Sequence, residues 1–494
     1  MSGIAAICGP DAAKKADRLD EMLSRLKHRG PDDEGRHTGE GVVLGIRAKD
    51  PVDESRKPVV SGDGSTVVVA DAEIVNKSEI QGDSSAGGAG PLTDAEAIAR
   101  EYARSGASCP AKLDGVFSFV LSDKGKTLAA RDPLGARPLY WGKLDGQQVF
   151  ASELKALAGI ATDIKEFPPG HCYDSDAGLS QYFSLPSDAP TETDADAAAK
   201  KLGELLEVAV QRRMKPGIST GVLLSGGLDS SVIAAIASRH CENLTAFSAC
   251  TKDGRDLPFA RQVAKHLGLV QEELIYDIDD VLEALPKVIY HLESFDAPLV
   301  RSATPNYFIS RVAASKVDVV FIGEGGDEDF GGYHHLKRLS SEKELQEAIV
   351  RLYQGLHNNG FMRTDRMNAA HSIVARAPFF DTAVLQCALG LHPSLKIHGD
   401  DQVEKWILRK AFEDQLPNEV VWRPKQQFAR GCGSDEMLGE HSEKAVSDSE
   451  LEARRAQYPS VAIRSKEEML YFDIFREHFG DEPSVLATVG QWYE

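Results

Sequence analysis

The stretch Gly221-Val222-Leu223-Leu224-Ser225-Gly226-Gly227-Leu228-Asp229-Ser230-Ser231 constrains the fold more than any other part of the chain. Val222, Leu223 and Leu224 read as the end of a buried strand. Ser-Gly-Gly follows, where the chain can turn and backbone N–H groups can approach a ligand closely. Asp229-Ser230-Ser231-Val232-Ile233-Ala234-Ala235-Ile236 then reads as the first turns of a helix, with Asp and Ser at its start. A strand, a glycine turn and a helix N-terminus in succession make an anion site. The GxxxxGK[ST] phosphate loop is excluded, because no lysine follows the glycines.

The surrounding sequence supports an α/β domain. A helix is predicted over Ala197 to Met214. Strands are predicted at Leu244–Ser248, Glu273–Tyr276 and Val317–Ile322, with a helix around Phe259–Leu267. Strands alternating with helices argue for a parallel sheet covered on both faces. Its ligand belongs beyond the carboxyl ends of the strands, where Ser225-Gly226 and Gly323-Glu324-Gly325 both fall. The second of these opens Gly323-Glu324-Gly325-Gly326-Asp327-Glu328-Asp329-Phe330-Gly331-Gly332-Tyr333, which carries four acids within six positions. Acids packed that closely repel one another unless something positive sits between them. Mg²⁺ with a pyrophosphate is the candidate. Beyond about Asn368 the pattern is mostly helical.

The first 185 residues differ in character. They read as β-rich, with strands at Val42–Leu44, Thr66–Val69, Val116–Leu121, Thr127–Ala130 and Gln148–Ala151, and helical spacing from Asp11 to His28. Residues 82–90 read as a flexible loop by composition, and the Pro/Thr/Asp-rich stretch 184–196 reads as a linker. Two domains are expected, 1–185 and 186–494. A net charge of -20, from 76 acidic against 56 basic residues, argues against nucleic acid or an anionic membrane as partner. Seven scattered cysteines without a CxxC pair point to a reducing, cytoplasmic setting. The start MSGIAAICGP is too short and uncharged for a signal peptide, and no apolar run approaches ~18 residues.

SGGLDSS resembles the pyrophosphate loop of ATP-pyrophosphatases, which cleave ATP between the α- and β-phosphates. With VIYHLESFD (288–296), GEGGDEDFGGY (323–333), ARAPFFD (375–381) and WRPKQQF (422–428), it resembles the glutamine-dependent asparagine synthetases. Arg29-Gly30-Pro31-Asp32, Leu113-Asp114-Gly115, Ala130-Arg131-Asp132-Pro133-Leu134-Gly135 and Phe150-Ala151-Ser152-Glu153-Leu154-Lys155 are similar to that family's glutaminase domain. The resemblance implies an N-terminal-nucleophile (Ntn) hydrolase domain, an αββα sandwich, followed by an ATP-pyrophosphatase domain with a doubly wound parallel sheet. It implies activation of the aspartate side-chain carboxylate by ATP and Mg²⁺, and displacement of AMP by ammonia. Carried over by motif, Ser225, Gly226, Gly227, Asp229, Ser230 and Gly323 would bind ATP, with Leu223 flanking the adenosine. Asp229 and Asp327 would hold the metal. Glu324 would meet the incoming ammonia as a general base, and Lys425 would neutralise charge on the phosphates. Without the family, Lys425 would read as a surface charge. Arg301 would hold the acceptor carboxylate. Glu73 and Asp94 match glutamine contacts.

The sequence also departs from the family. Met1-Ser2-Gly3-Ile4 stands where the family has Met-Cys-Gly-Ile. Serine holds almost no alkoxide at neutral pH, whereas cysteine is a few per cent thiolate. Asp71-Ala72-Glu73-Ile74-Val75-Asn76 replaces Asn-Gly-Glu-Ile-Tyr-Asn, whose Asn side chain and Gly backbone stabilise an oxyanion. Losing one such donor costs on the order of a hundred- to a thousand-fold in rate. The family's glutamine-anchoring arginine is out of register at Arg47, or its role is lost. Ser2 is thus expected to be a degenerate nucleophile position in an inactive glutaminase. In the second domain Pro298-Leu299-Val300-Arg301, Ile322 and Val374 replace residues on the family's acceptor side.

The expected function is ATP-dependent, AMP-forming amidation of a carboxylate, with aspartate and ammonia as first choices. The alternatives are the same chemistry on another carboxylate or amine, as in β-lactam synthetases, or a non-catalytic nucleotide-binding paralogue. Intact Asp229, Glu324, Asp327 and Lys425 count against the last. The expected partners are small molecules, with no nucleic acid and no membrane, and a homodimer is the candidate assembly.

Overall fold

The computed structural model describes residues 2–62, 64–82, 91–186, 190–339 and 341–490. Residues 83–90 of the loop read as flexible, and 187–189 of the linker, lie outside them. The chain forms two compact units. The first contains Met1–Ser184 together with Ala369–Ser372 and Phe475–Gly490; the second contains Leu185–Asn368 and Ile373–Ile474. Assigning everything beyond 185 to the second domain therefore does not foresee two short segments of the first. One of them carries the helix Pro483–Leu486, which packs on the strand Thr162–Glu166 and buries Val485.

Two six-stranded sheets build the first unit. One runs, in spatial order, Thr162–Glu166, Tyr140–Leu144, Gln147–Ala151, Gly3–Cys8, Val42–Ala48 and Asp33–Gly39. The other runs Gly178–Gln181, His171–Asp174, Lys126–Arg131, Gly115–Asp123, Thr66–Ile74 and Val59–Val60. A shared core of Ile4, Ala6, Leu44, Val67, Val69, Val120 and Phe150 lies between them, so the sheets pack face to face. Leu19, Met22 and Leu23 of the helix Ala16–Arg25 cover the outer side of the first sheet. Ala95, Ala97 and Ile98 of the helix Asp94–Ser105 cover that of the second. The result is the expected αββα sandwich.

The second unit carries a five-stranded sheet in the order Val270–Tyr276, Thr245–Thr251, Thr220–Leu223, Val319–Phe321, Val374–Arg376, all parallel. In sequence this order runs 3-2-1-4-5, so the winding reverses between Thr220–Leu223 and Val319–Phe321. That switch point is where an open α/β sheet leaves a crevice for a ligand. The glycine turn and the acidic turn leave the sheet from these two strands. Val222, Leu224, Val232, Ile233 and Ile236 are fully buried in one core beneath the turn. Truncating such a residue to Ala costs ~2–5 kcal/mol, which anchors the loop to the rigid part of the domain. Among the described residues no helix is long and apolar enough to cross a membrane.

Candidate functional site

Two loops meet at the switch point because glycines let them. Gly226 has φ +79, and a Cβ there would lie 2.4 Å from Ala260 N, at the start of the helix Leu257–Leu267. A Cβ on Gly326 would lie 2.5 Å from Asp229 Oδ1, so only glycine lets the acidic turn close on the first loop. Within the first loop, Gly227 N–H donates to Ser225 Oγ at 3.3 Å, and Ser231 Oγ donates to Gly227 O at 2.7 Å. The helix Leu228–Ser238 then starts with Asp229 in its first turn.

Asp229 and Asp327, 98 residues apart, meet at a buried lysine that sequence reading missed. Lys405 Nζ lies 2.5 Å from an oxygen of each carboxylate, and its side chain is only 2% exposed. Lys425 pairs with the other oxygen of Asp327. Burial opposes ionisation of Asp327, but Lys405 and Lys425 together hold its carboxyl far below the usual range. Burial likewise opposes the charge on Lys425, and Asp327 with Asp229 overcomes it and raises its pKa. Glu328 and Asp329, next along the turn, behave oppositely. Burial pushes Asp329 up to about 7 against the hydrogen bond from Tyr353. It also pushes Glu328 up, with Glu324 and Asp327 adding to it. The three consecutive acids thus divide. Asp327 is held charged toward the cavity, whereas Glu328 and Asp329 are almost fully buried behind it.

Lys405 adopts a left-handed conformation, φ 55 and ψ 28, just before the helix Trp406–Phe412. No motif announces it, since Val403-Glu404-Lys405-Trp406 reads as an ordinary helix entry. Arg423, from the WRPKQQF motif, is held by Asp256 at 2.6 Å and lies over the Phe259 ring at 4.0 Å.

These groups line a cavity of about 320 Å³ that also contains Leu223, Ser225, Ser230 and Gly323. Asp229 Oδ1 is buried there without a hydrogen-bond partner among the described residues. Among the described residues no group of three or more His, Cys, Asp or Glu is placed to hold a metal ion. Two carboxylates, one oxygen of them unmatched, suit an ion that takes its remaining ligands from phosphate and water, as Mg²⁺ does.

The acceptor side contains Glu324, Arg301 and Arg363. Arg301, expected to hold a substrate carboxylate, is already engaged by two of the chain's own. Its Nε lies 2.9 Å from both oxygens of the buried Glu467, and Nη1 lies 2.5 Å from Asp435. Arg363 was not foreseen, because it lies outside every motif. It pairs with Glu324, sits 5.5 Å from the Phe428 ring centre, and keeps a buried Nε without a partner among the described residues. A buried unsatisfied donor costs roughly 1–3 kcal/mol, which a bound carboxylate would relieve.

The first unit places Ser2 in a different environment. Ser2 N–H donates to Asp71 Oδ1 at 3.0 Å. Arg29 donates through Nη2 to Asp71 at 2.9 Å, through Nε to Ser2 O at 2.9 Å, and through Nη1 to Glu153 at 2.7 Å. Lys155 and His28 complete the shell around Glu153. The side chains of Arg29, Asp71 and Glu153 are all 0% exposed. Burial pushes Asp71 up, yet Arg137 and Arg29 bring it down to about 2. Asp94 accepts from Ile74 N–H at 2.9 Å and lies 3.2 Å from Lys77 Nζ, so it ties its helix to the strand that carries Glu73. Arg47 bonds Leu23 O at 3.2 Å and pairs with Glu34.

Comparison with known proteins agrees with both halves. The asparagine synthase family model matches residues 201–345 and 337–492, and the glutamine amidotransferase domain model matches 1–185. The chain is 34% identical to asparagine synthetase [glutamine-hydrolyzing] 2 of Oryza sativa subsp. japonica, over 99% of this chain and 88% of that protein. It is 35% identical to asparagine synthetase [glutamine-hydrolyzing] 3 of Arabidopsis thaliana, over 99% and 89%. It is 34% identical to a probable asparagine synthetase [glutamine-hydrolyzing] of Dictyostelium discoideum, over 100% and 96%. A pyrophosphate loop at the switch point of a parallel sheet, an amidotransferase-type sandwich ahead of it, and similarity along the whole chain place this protein in the asparagine synthetase family, as a carbon–nitrogen ligase.

Proposed function

We propose that this ligase activates the side-chain carboxylate of aspartate with MgATP and amidates it with free ammonia, giving asparagine, AMP and pyrophosphate. A carboxylate oxygen attacks the α-phosphorus, and pyrophosphate leaves with the electron pair of the broken P–O bond. Lys425 and Lys405 lie where charge grows on the departing phosphates. Asp229 and Asp327 would hold Mg²⁺, which supplies further positive charge there. Ammonia then attacks the acyl carbon, Glu324 takes its proton, and AMP departs. Arg363, with its unmatched Nε, is the cation we assign to the second carboxylate of aspartate. The bridging of Asp229 and Asp327 by Lys405 is the observation that carries the ligase chemistry.

The choice of ammonia rests on Asp71. If the initiator Met is removed, the Ser2 nitrogen becomes an ammonium 3.0 Å from a buried carboxylate. A carboxylate that close favours the protonated amine, which has no lone pair with which to act as base. It would also repel an oxyanion.

The test is pyrophosphate release from MgATP and aspartate with ammonium or glutamine as nitrogen donor. Release with ammonium alone is expected. Brisk release with glutamine would refute the silent glutaminase, and no release with either donor would refute aspartate as acceptor.

A further inference from the structure

A second cavity, of about 660 Å³, adjoins the ATP cavity where Lys425 stands. The two share Tyr333, Lys425, Gln426, Gln427 and Arg430 as a common wall. Beyond that wall the second cavity is lined by Arg255, His334, His335 and Arg338, with Glu436 as its one acid among the described residues. This lining inverts the charge of a chain whose net value is -20. Two of its cations are neutralised locally, Lys425 by Asp327 and Arg430 by Asp435 at 3.0 Å. Arg255 and Arg338 are not. Both are exposed, and neither side chain has an ion-pair or hydrogen-bond partner among the described residues. Two unmatched guanidinium forks facing one cavity suit an anion that offers several oxygens at once.

We infer that this second cavity is a pyrophosphate site that receives the leaving group of the ligase reaction. The inference rests on the ligase chemistry proposed above. Breaking the bond between the α- and β-phosphates leaves a highly charged anion beside Lys425. As long as it stays there, it can attack the adenylate and re-form ATP. Passage along Lys425 to Arg255 and Arg338 would separate it from the α-phosphorus while the adenylate waits for ammonia. The residues that first bind the phosphates and those that would receive the product thus meet at one lysine.

The test is calorimetric titration of inorganic pyrophosphate into the full-length protein saturated with α,β-methylene ATP, which fills the first cavity and cannot react. One equivalent of pyrophosphate is expected to bind without displacing the analogue. The double variant Arg255→Ala/Arg338→Ala should bind it at least about tenfold more weakly, since each guanidinium contributes charged hydrogen bonds. Its KM for ATP should be unchanged, and the corresponding Arg→Lys pair should recover part of the affinity. Pyrophosphate that only competes with the analogue, or that binds equally to the double variant, would overturn the inference. Failure of the analogue to bind, with pyrophosphate affinity still lost in the double variant, would instead break the ligase assignment and leave the anion site standing.

Discussion

Both units hold a buried carboxylate against buried cations, and the two arrangements serve opposite ends. In the second unit Asp327 lies between Lys405 and Lys425, and the side chains of Asp327 and Lys425 are 17% and 20% exposed to a cavity. In the first, Asp71 and Arg29 are 0% exposed and also satisfy the backbone of Ser2. An ion pair with one open face can exchange its partner for phosphate and metal. A sealed one cannot admit a ligand without stranding a charge, which costs ~3–5 kcal/mol. Open exposure, rather than the presence of charge, is what separates the two carboxylates.

The largest expected effect tests the open pair. Asp327→Ala should abolish pyrophosphate release, and Lys405→Met should lower it by about a thousand-fold or more, because both act where phosphate charge develops. Undiminished release in a steady-state assay would dissolve the distinction between the two units. The next tests the sealed pair. Ser2→Cys alone should give little glutamate from glutamine, because Asp71 remains. Adding Asp71→Asn and Ala72→Gly should raise glutaminase by about a hundred- to a thousand-fold over the single variant, as restored oxyanion donors would. Brisk turnover by Ser2→Cys alone would show that Asp71 is no obstacle.

A smaller effect separates the two arginines. Arg363→Lys should raise the KM for aspartate about tenfold to a hundred-fold with a lesser change in kcat, whereas Arg301→Lys should mainly lower the melting temperature. Equal effects on KM would return the substrate contact to Arg301. The smallest is a stability measurement. Asp71→Asn leaves Arg29 with one anionic partner fewer, so the first unit should lose about 2–4 kcal/mol at neutral pH. The Asp71 carboxyl is depressed in the fold to about 2. Its contribution is therefore full above the unfolded value of about 4 and fades as pH falls toward the folded one. Melting curves of the two proteins should converge on acidification. A gap as wide at pH 2 as at neutral pH would remove the ion pair from the explanation.

The glycine turns and the strands were legible in the sequence because each is written in neighbouring residues, whereas the sandwich followed from the resemblance to the family. A strand period, a Ser-Gly-Gly turn and a capped helix are local signals. Lys405, Arg363 and the partners of Arg301 were not. Lys405 reaches Asp229 across 176 positions, and Arg301 reaches Glu467 across 166. Nothing in the sequence near either residue encodes those distances. Arg301 shows the cost of reading by motif: its position suggested a substrate contact, yet its guanidinium is engaged within the fold. Asp71 shows the reverse. Its departure from the family pattern was plain, but its burial and its bond to Ser2 emerge only when the strand Thr66–Ile74 lies beside the N-terminus.

The left-handed backbone of Lys405 and its buried side chain pull stability in opposite directions. A side-chain-bearing residue held in that region costs on the order of 1–3 kcal/mol, and glycine would relax it. Glycine would also strand the carboxylates of Asp229 and Asp327, which costs ~3–5 kcal/mol. The loss exceeds the relief, so selection of random variants for heat resistance alone would keep lysine at this position, and a screen for thermal survival would spare the bridge between the two loops.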